Sequence, residues 1–180
     1  SRIITIIYNK TMTKEMPKNF KIIEKCRICG SKNLTEVIWI KEQHLSPTFV
    51  KTNKDNALAK IKVPMTLTLC NDCELLQMKE TVSPDLLYRE YFYRSSTSTT
   101  MRNDLQDVVG DVIKRTQLKN DDVVVDIGAN DCLMLSYFPS TLHRIGVEPA
   151  KNIDWSGVDK SINIINDYFN GKSLLPALKG

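Results

Sequence analysis

Apolar residues recur along the second half of the chain with the periods of helices and strands. They return every three or four positions over Met101–Leu118, which predicts an amphipathic helix. Val123–Gly128 is an apolar run closed by an Asp-x-Gly triplet, typical of a buried parallel strand. A short helix at Leu133–Phe138 and further strands at Arg144–Pro149 and Ile162–Ile165 follow. This alternation predicts the first half of a Rossmann-like α/β domain with an incomplete parallel sheet.

The first half of the chain predicts a different, smaller structure that is rich in strands. Two runs of β-branched and apolar residues, Thr35–Ile40 and Lys62–Leu69, are the candidate strands. We expect a leader at residues 1–18, a small module at 19–85, a linker and helix at 86–120, and the α/β unit at 121–180. The apolar stretch Arg2–Tyr8 is short and lacks a small-residue cleavage site, so we interpret it as a stray strand or a disordered leader and not as a signal peptide.

Four of the five cysteines form two pairs with identical spacing. They are Cys26 with Cys29 and Cys70 with Cys73, and each pair encloses two residues. Such turns direct two thiolates to one point, and two of them complete the tetrahedron that Zn²⁺ prefers. A single redox pair would need no duplicate, and four thiolates leave no open position for catalysis. We therefore predict a structural zinc site, and a reducing, cytoplasmic location for its thiolates.

Charge and composition exclude little. The net charge is +4, and no apolar run approaches the roughly 18 residues of a membrane span, so no membrane partner is expected. Residues 14–62 hold eleven Lys and Arg against five Asp and Glu. That surplus could receive a nucleotide diphosphate or a nucleic-acid backbone, or it could be a solvated lysine-rich surface.

Acidic residues close each of the three predicted parallel strands. Asp126, Glu148 and Asp167 would meet at one edge of the sheet, where open α/β sheets bind ligands. Gly128 lets the backbone come close to the ligand, and Glu148, twenty residues further on, suits ribose hydroxyls. The turn lacks the other glycines that cradle a pyrophosphate. It therefore favours S-adenosylmethionine over a dinucleotide.

The order of these motifs resembles that of the S-adenosylmethionine-dependent sugar C-methyltransferases with an N-terminal zinc-binding domain. The matching stretches are CRICG, HLSPTFV, CNDC, EYFYRSSTSTTM, VVVDIGANDC, GVEPAKNI and INDYF, and they span most of residues 22–170. The resemblance implies an enzyme that methylates a carbon of a nucleotide-linked keto-deoxysugar, of the thymidine diphosphate type. Zinc would be structural, and S-adenosylmethionine would be the methyl donor.

The same resemblance implies roles for individual residues. Asp126, Gly128, Asn130 and Glu148 would contact the methyl donor, with Asp167 or Tyr168 near its adenine. Tyr91 and Tyr93 would contact the sugar, although by themselves they read more readily as an aromatic seam that packs the linker. The general base would belong to a later His/Glu/Tyr segment, since neither His44 nor His143 stands where a base is implied.

Two features depart from the family pattern. Only three of about seven strands are present, so Val123–Gly128, expected at the centre of a full sheet, would have one unpaired edge. We expect a fragment of a longer gene product, a truncated reading frame, or a piece that needs the missing C-terminal part as partner. Cys132 stands where the family usually has glycine. We expect its side chain to crowd the ligand turn and its thiol to be inert if buried.

Two other functions remain open from the sequence. One is a non-catalytic zinc-binding remnant that serves as an assembly subunit, which the missing sheet half and Cys132 favour. The other is a zinc-ribbon protein that binds nucleic acid through the surplus of basic residues. The lack of Lys and Arg clusters interleaved with aromatic residues speaks against the latter.

Overall fold

The computed structural model describes residues 19–45 and 61–178. The predicted leader lies outside the described residues. The chain divides into two compact units, residues 1–41 with 64–82 and residues 42–63 with 83–180. The predicted domain boundaries stay predictions.

The first unit is rich in β-strands. Its elements are β1 (Phe20–Ile22), β2 (Leu34–His44), β3 (Lys62–Cys70), β4 (Leu76–Met78) and β5 (Glu80–Val82). β1 pairs with β5, and β2, β3 and β4 form a three-stranded sheet in that order. The predicted strand at Thr35–Ile40 is thus extended to His44.

A buried carboxylate stabilises the centre of this unit. Glu80 is 8% exposed, and its carboxylate accepts hydrogen bonds of 2.8 Å from the backbone N–H and the hydroxyl of Thr66. The next buried positions of β3, Thr68 and Cys70, alternate with less buried ones, as expected for a half-buried strand. β3 therefore delivers the Cys70 sulfur to the buried side of the sheet.

The second unit contains a parallel sheet with helices around it. Its elements are α1 (Pro84–Tyr88), α2 (Thr99–Arg115), β6 (Val123–Ile127), α3 (Leu133–Ser136), β7 (His143–Val147), β8 (Ile162–Ile165) and α4 (Gly171–Ala177). The strand order is β6-β7-β8, and both pairings are parallel. This mixed architecture confirms the predicted fold class: a small β-rich module followed by part of a Rossmann-like sheet.

The parallel register brings the carboxyl ends of the three strands to one edge of the sheet. Ile127 lies opposite Val147, and Val147 lies opposite Ile165. Central β7 is buried from Arg144 onwards, whereas Val123 and Ile127 of β6 are 45% and 59% exposed. Within the described residues β6 is therefore an edge strand, as expected from the three predicted strands.

The hydrophobic core of this unit lies between the sheet, α2 and α3. Its buried members are Val109, Ala129, Cys132, Leu135, Phe138, Leu142 and Ile162. Ser98 caps α2 by accepting a hydrogen bond from the N–H of Met101. The helix ends at Arg115, three residues before the predicted end, because Thr116 is extended and its N–H and hydroxyl both donate to the Val112 carbonyl. None of the described helices is both long and apolar enough to cross a membrane.

Candidate metal centre and ligand cavity

The two cysteine turns of the first unit have the same backbone geometry. The Gly30 N–H donates to the Cys26 carbonyl (3.0 Å), and the Glu74 N–H donates to the Cys70 carbonyl (2.9 Å). The residue after each second cysteine has positive φ, +73° at Gly30 and +62° at Glu74. Gly30 adopts this conformation without strain, whereas the corresponding residue of the other turn, Glu74, is not a glycine.

The four thiols converge on one point. Sulfur-to-sulfur distances are 3.6 Å from Cys26 to Cys73 and 3.5 Å from Cys29 to Cys70, and all four sulfurs lie within 4.8 Å of one another. A tetrahedron with Zn–S bonds of about 2.3 Å requires sulfurs about 3.8 Å apart, so the cluster fits Zn²⁺. The cysteines form a four-thiolate zinc site, which leaves no position for substrate.

A backbone amide lowers the pKa of one thiol in this site. The N–H of Cys29 donates to the Cys26 sulfur and, with smaller contributions from Ile28 and side chains, lowers the pKa of Cys26 to about 6. Such a pKa favours the thiolate, the form that binds zinc, at neutral pH. In contrast, hydrogen bonds among the neighbouring thiols, together with burial, raise the pKa of Cys29 to about 12 and also raise the pKa of Cys73, so zinc must displace those protons when it binds.

Polar side chains join the two turns to each other. The Asp72 carboxylate accepts hydrogen bonds from the Asn33 amide (2.9 Å) and the Ser31 hydroxyl, and these bonds lower the pKa of Asp72. The side-chain Nδ2 of Asn71 donates to the side-chain Oδ1 of Asn33 (2.9 Å) and to the Thr35 hydroxyl (2.8 Å). Residues between and after the cysteines therefore hold the two turns in register.

A cavity of about 540 Å³ opens at the carboxyl-terminal edge of the parallel sheet in the second unit. Three predicted donor-binding residues line it, together with Tyr91. The remaining lining residues were not predicted as contacts, except Tyr168. The full lining comprises Tyr88, Tyr91, Ile127, Gly128, Asn130, Val147, Glu148, Pro149, Tyr168 and Phe169.

The turn after β6 owes its shape to left-handed backbone at alternate positions. Gly128, Asn130 and Cys132 have φ of +81°, +49° and +60°. The N–H groups of Gly128 and Ala129 both donate to the Val147 carbonyl, at 2.8 and 3.2 Å. The turn is therefore tied to the end of β7, and Gly128 brings bare backbone to the cavity.

Glu148 is the buried carboxylate of the cavity. It is 6% exposed, and its two oxygens accept hydrogen bonds of 2.8 Å from the backbone N–H groups of Asn130 and Ala150. Each carboxylate oxygen has two acceptor sites, so one on each oxygen is left for a ligand hydroxyl. The predicted contact of Glu148 to a ribose stays a prediction.

The side chain of Asn130 is engaged with another segment of the chain. Its Nδ2 donates to the Tyr93 carbonyl (3.0 Å), and its Oδ1 accepts from the Ser95 N–H (3.2 Å). The Asn130 carbonyl accepts from the indole of Trp155 (3.0 Å). Asn130 thus links the turn after β6 to the segment that carries Tyr91 and Tyr93.

The other two predicted donor contacts, Asp126 and Asp167, are not among the residues that line the cavity. Burial, and secondarily the Glu148 carboxylate, raise the pKa of Asp126. The Asp167 carboxylate lies 3.7 Å from the Arg89 guanidinium. Asp126 lies within β6 and Asp167 follows β8, but the lining side chains after β8 are Tyr168 and Phe169.

The two tyrosines before α2, Tyr91 and Tyr93, make different contacts. Tyr91 lines the cavity, whereas Tyr93 contributes its carbonyl to Asn130 and Arg94. The Phe92 ring lies between the two tyrosine rings, with centroid distances of 5.6 and 6.5 Å. Tyr91 is therefore the better placed of the two predicted sugar contacts.

Arg89 contacts the aromatic ring of Tyr168, another residue that lines the cavity. Its guanidinium lies 4.4 Å from the centre of the Tyr168 ring, and it donates to Asp85 (2.7 Å). The Tyr168 hydroxyl donates to the same carboxylate (2.9 Å), and burial, aided by Asp85, raises the pKa of Tyr168 to about 12. Tyr168 is therefore a neutral aromatic wall of the cavity. None of the quoted stretches contains Tyr88, whereas Pro149 lies in GVEPAKNI and Phe169 ends INDYF.

Cys132 does not line the cavity, so the expected crowding of the ligand turn by its side chain is wrong. The left-handed backbone turns the thiol into the hydrophobic core, where it is 1% exposed. Burial, and secondarily Asp126, raise the pKa of Cys132 to about 12, so the thiol is protonated. This agrees with the prediction that a buried thiol is inert.

Comparison with known proteins gives one match to the cysteine-containing part of the chain and one to most of the chain. Residues 26–88 match the family model described as "Putative zinc binding domain". C-methyltransferase NovU from Streptomyces niveus is 26% identical over 151 residues, which cover 83% of this chain and 36% of that protein. Residues 26–88 thus match a zinc-binding domain, and most of the chain is similar to part of a C-methyltransferase.

The similarity to a C-methyltransferase confirms the resemblance that the sequence motifs indicated. The similar region extends beyond the two cysteine turns. The zinc-binding match covers both cysteine turns and ends at Tyr88, whereas the similarity to NovU covers most of the chain. The chain spans about a third of the length of that curated relative.

Proposed function

We propose that this chain forms the zinc-binding lobe and the methyl-donor cavity of a S-adenosylmethionine-dependent C-methyltransferase. Its acceptor would be a nucleotide-linked keto-deoxysugar of the thymidine diphosphate type. One observation carries the proposal: Gly128, Asn130 and Glu148 line a single cavity at the carboxyl ends of parallel strands. The similarity to a C-methyltransferase supports the reaction class.

The lining residues suit an adenosyl ligand. Glu148 offers acceptor positions for two ribose hydroxyls, and the backbone at Gly128 allows close approach of the amino-acid portion. Tyr168 and Phe169 offer aromatic surface for a base. When bound, S-adenosylmethionine supplies an electrophilic methyl group; these residues would bind it and exclude water.

The acceptor would meet the donor on the side of Tyr91. Carbon methylation beside a ketone requires a general base that removes a proton. His143 lies at the amino end of β7, the end of the strand away from the cavity, so it does not serve as that base. The carboxylate of Glu148 is occupied by two backbone N–H groups and acts as an acceptor. The zinc site contributes scaffold, and its thiolates fit the reducing conditions of a cytoplasmic location.

Calorimetric titration of the zinc-loaded chain tests the donor site. S-adenosylmethionine and S-adenosylhomocysteine should bind, whereas ATP and NAD⁺ should bind at least tenfold more weakly. Glu148→Gln should weaken donor binding about tenfold or more, because a charge-assisted hydrogen bond contributes about 1.5–3 kcal/mol. Glu42→Gln, at an exposed position of β2, is the matched control. Absence of donor binding at millimolar concentration would contradict the proposal.

A further inference from the structure

Asn152 holds the backbone of Tyr91 from both sides. Its Oδ1 accepts from the Tyr91 N–H (3.0 Å), and its Nδ2 donates to the Tyr91 carbonyl (3.1 Å). One side-chain amide thus satisfies both backbone groups of Tyr91, as a neighbouring strand would. The peptide orientation at Tyr91 is fixed without regular secondary structure.

Further contacts join the two segments that meet at this point. The Lys151 N–H donates to the Arg89 carbonyl (2.8 Å), and Arg89 donates to the Pro149 carbonyl (3.2 Å). Arg94 donates to the Asn152 carbonyl and to the carbonyls of Tyr91 and Tyr93. Residues 89–94 and 149–152 therefore form one hydrogen-bonded unit.

This unit joins two walls of the same cavity. Glu148 immediately precedes residues 149–152, and Tyr91 belongs to residues 89–94; both line the cavity, whereas Asn152 does not. Asn152 is itself exposed, so its contacts with Tyr91 are not explained by burial in a core.

We infer that Asn152 is a positioning residue that fixes Tyr91 relative to Glu148 and thereby sets the affinity of the cavity for its ligand. The inference rests on the proposed function, because the ligand is the methyl donor named there. If Asn152 merely stabilised a surface loop, its replacement would change unfolding and leave the affinity unaltered.

Two substitutions of graded severity test this inference. Asn152→Ala removes both hydrogen bonds to Tyr91, and Asn152→Asp keeps the acceptor for the Tyr91 N–H but loses the donor. Asn103→Ala and Asn103→Asp, at an exposed position of α2, are the matched controls. We expect calorimetry to give about tenfold weaker S-adenosylmethionine binding for Asn152→Ala, a smaller loss for Asn152→Asp and none for the controls.

Hydrogen exchange provides the second readout and needs no ligand. The Tyr91 amide should exchange at least tenfold faster in Asn152→Ala than in the parent chain, with unchanged exchange in the core strand β7. If the parent chain binds no S-adenosylmethionine, the proposed function fails while this exchange still decides whether Asn152 positions Tyr91. The inference is overturned if the Tyr91 amide of Asn152→Ala exchanges as slowly as in the parent chain. It is also overturned if the parent chain binds S-adenosylmethionine and Asn152→Ala binds it equally tightly. Should Asn152→Ala fail to fold, Asn152→Asp, which loses the donor to the Tyr91 carbonyl, is judged by the same criteria.

Discussion

Cys132 occupies the space that a side chain on Gly146 would need. A Cβ built on Gly146 would lie 3.0 Å from the Cys132 sulfur, 3.1 Å from the Ala129 Cβ and 3.2 Å from a methyl carbon of Leu135. The thiol therefore packs against bare backbone in the middle of β7. The absence of a side chain at position 146 makes room for Cys132 in the core.

Gly146→Ala should destabilise the second unit by about 1–3 kcal/mol, the usual cost of adding a methyl group to a filled core. Cys132→Gly should be milder, because relief of the left-handed backbone offsets part of the lost packing. In the double variant the two changes should compensate, with a coupling of about 1 kcal/mol in denaturant unfolding. Additive effects would show that the two sites do not share this space.

Glu74→Gly should stabilise the zinc-loaded first unit by roughly 1 kcal/mol, because Glu74 holds a left-handed conformation that glycine adopts without strain. Gly30→Ala, at the corresponding position of the other turn, should have the opposite effect. A Cβ at Gly30 meets no atom within 4 Å, so strain alone acts there. Thermal unfolding with zinc present measures both changes in stability. If the two substitutions changed the stability in the same direction, the two turns would not be equivalent.

Asp126→Asn should raise the unfolding midpoint at pH 7.5 by roughly 2 °C or more, because burial disfavours the charged carboxyl. The raised pKa means that the folded chain binds this proton more tightly than the unfolded chain, whose pKa is near 3.8. The contribution of Asp126 to stability therefore falls as pH rises through these values. The gain from asparagine should shrink as pH approaches 4. A gain that is constant with pH would contradict this cause.

Alkylation should leave Cys132 unmodified in the folded, zinc-loaded chain. Its thiol is buried, and its pKa is about 12, so little thiolate exists at pH 8. Mass spectrometry after iodoacetamide treatment should find Cys132 modified only after unfolding. Comparison with Cys132→Ser shows which mass increment comes from alkylation of Cys132. Rapid alkylation of Cys132 in the native chain would disprove its burial.

The sequence predicted those parts of the structure that depend on local pattern. The cysteine spacing predicted the metal centre, because two-residue separations impose their own turn geometry. The strands at residues 123, 144 and 162 were predicted from apolar runs that end in acids. The parallel register then accounts for Gly128 and Glu148 lining one cavity.

Features set by tertiary contacts were not predicted. The sequence gives no sign that the Asn130 amide is used by Tyr93 and Ser95, since those residues are about 35 positions away. The inward direction of the Cys132 thiol depends on a left-handed φ and on Gly146 beneath it. The adjoining residue Tyr168, and not Asp167, lines the cavity, because Asp167 lies beside Arg89.

Amide chemical shifts of the isotope-labelled, zinc-loaded chain, recorded during titration with S-adenosylmethionine, test most directly whether the cavity is a methyl-donor site. For a methyl-donor site we expect saturable shifts at Gly128, Asn130 and Tyr168, and no change at Gly30 beside the metal. A titration without shifts at these three residues, or with shifts confined to the cysteine turns, would contradict it.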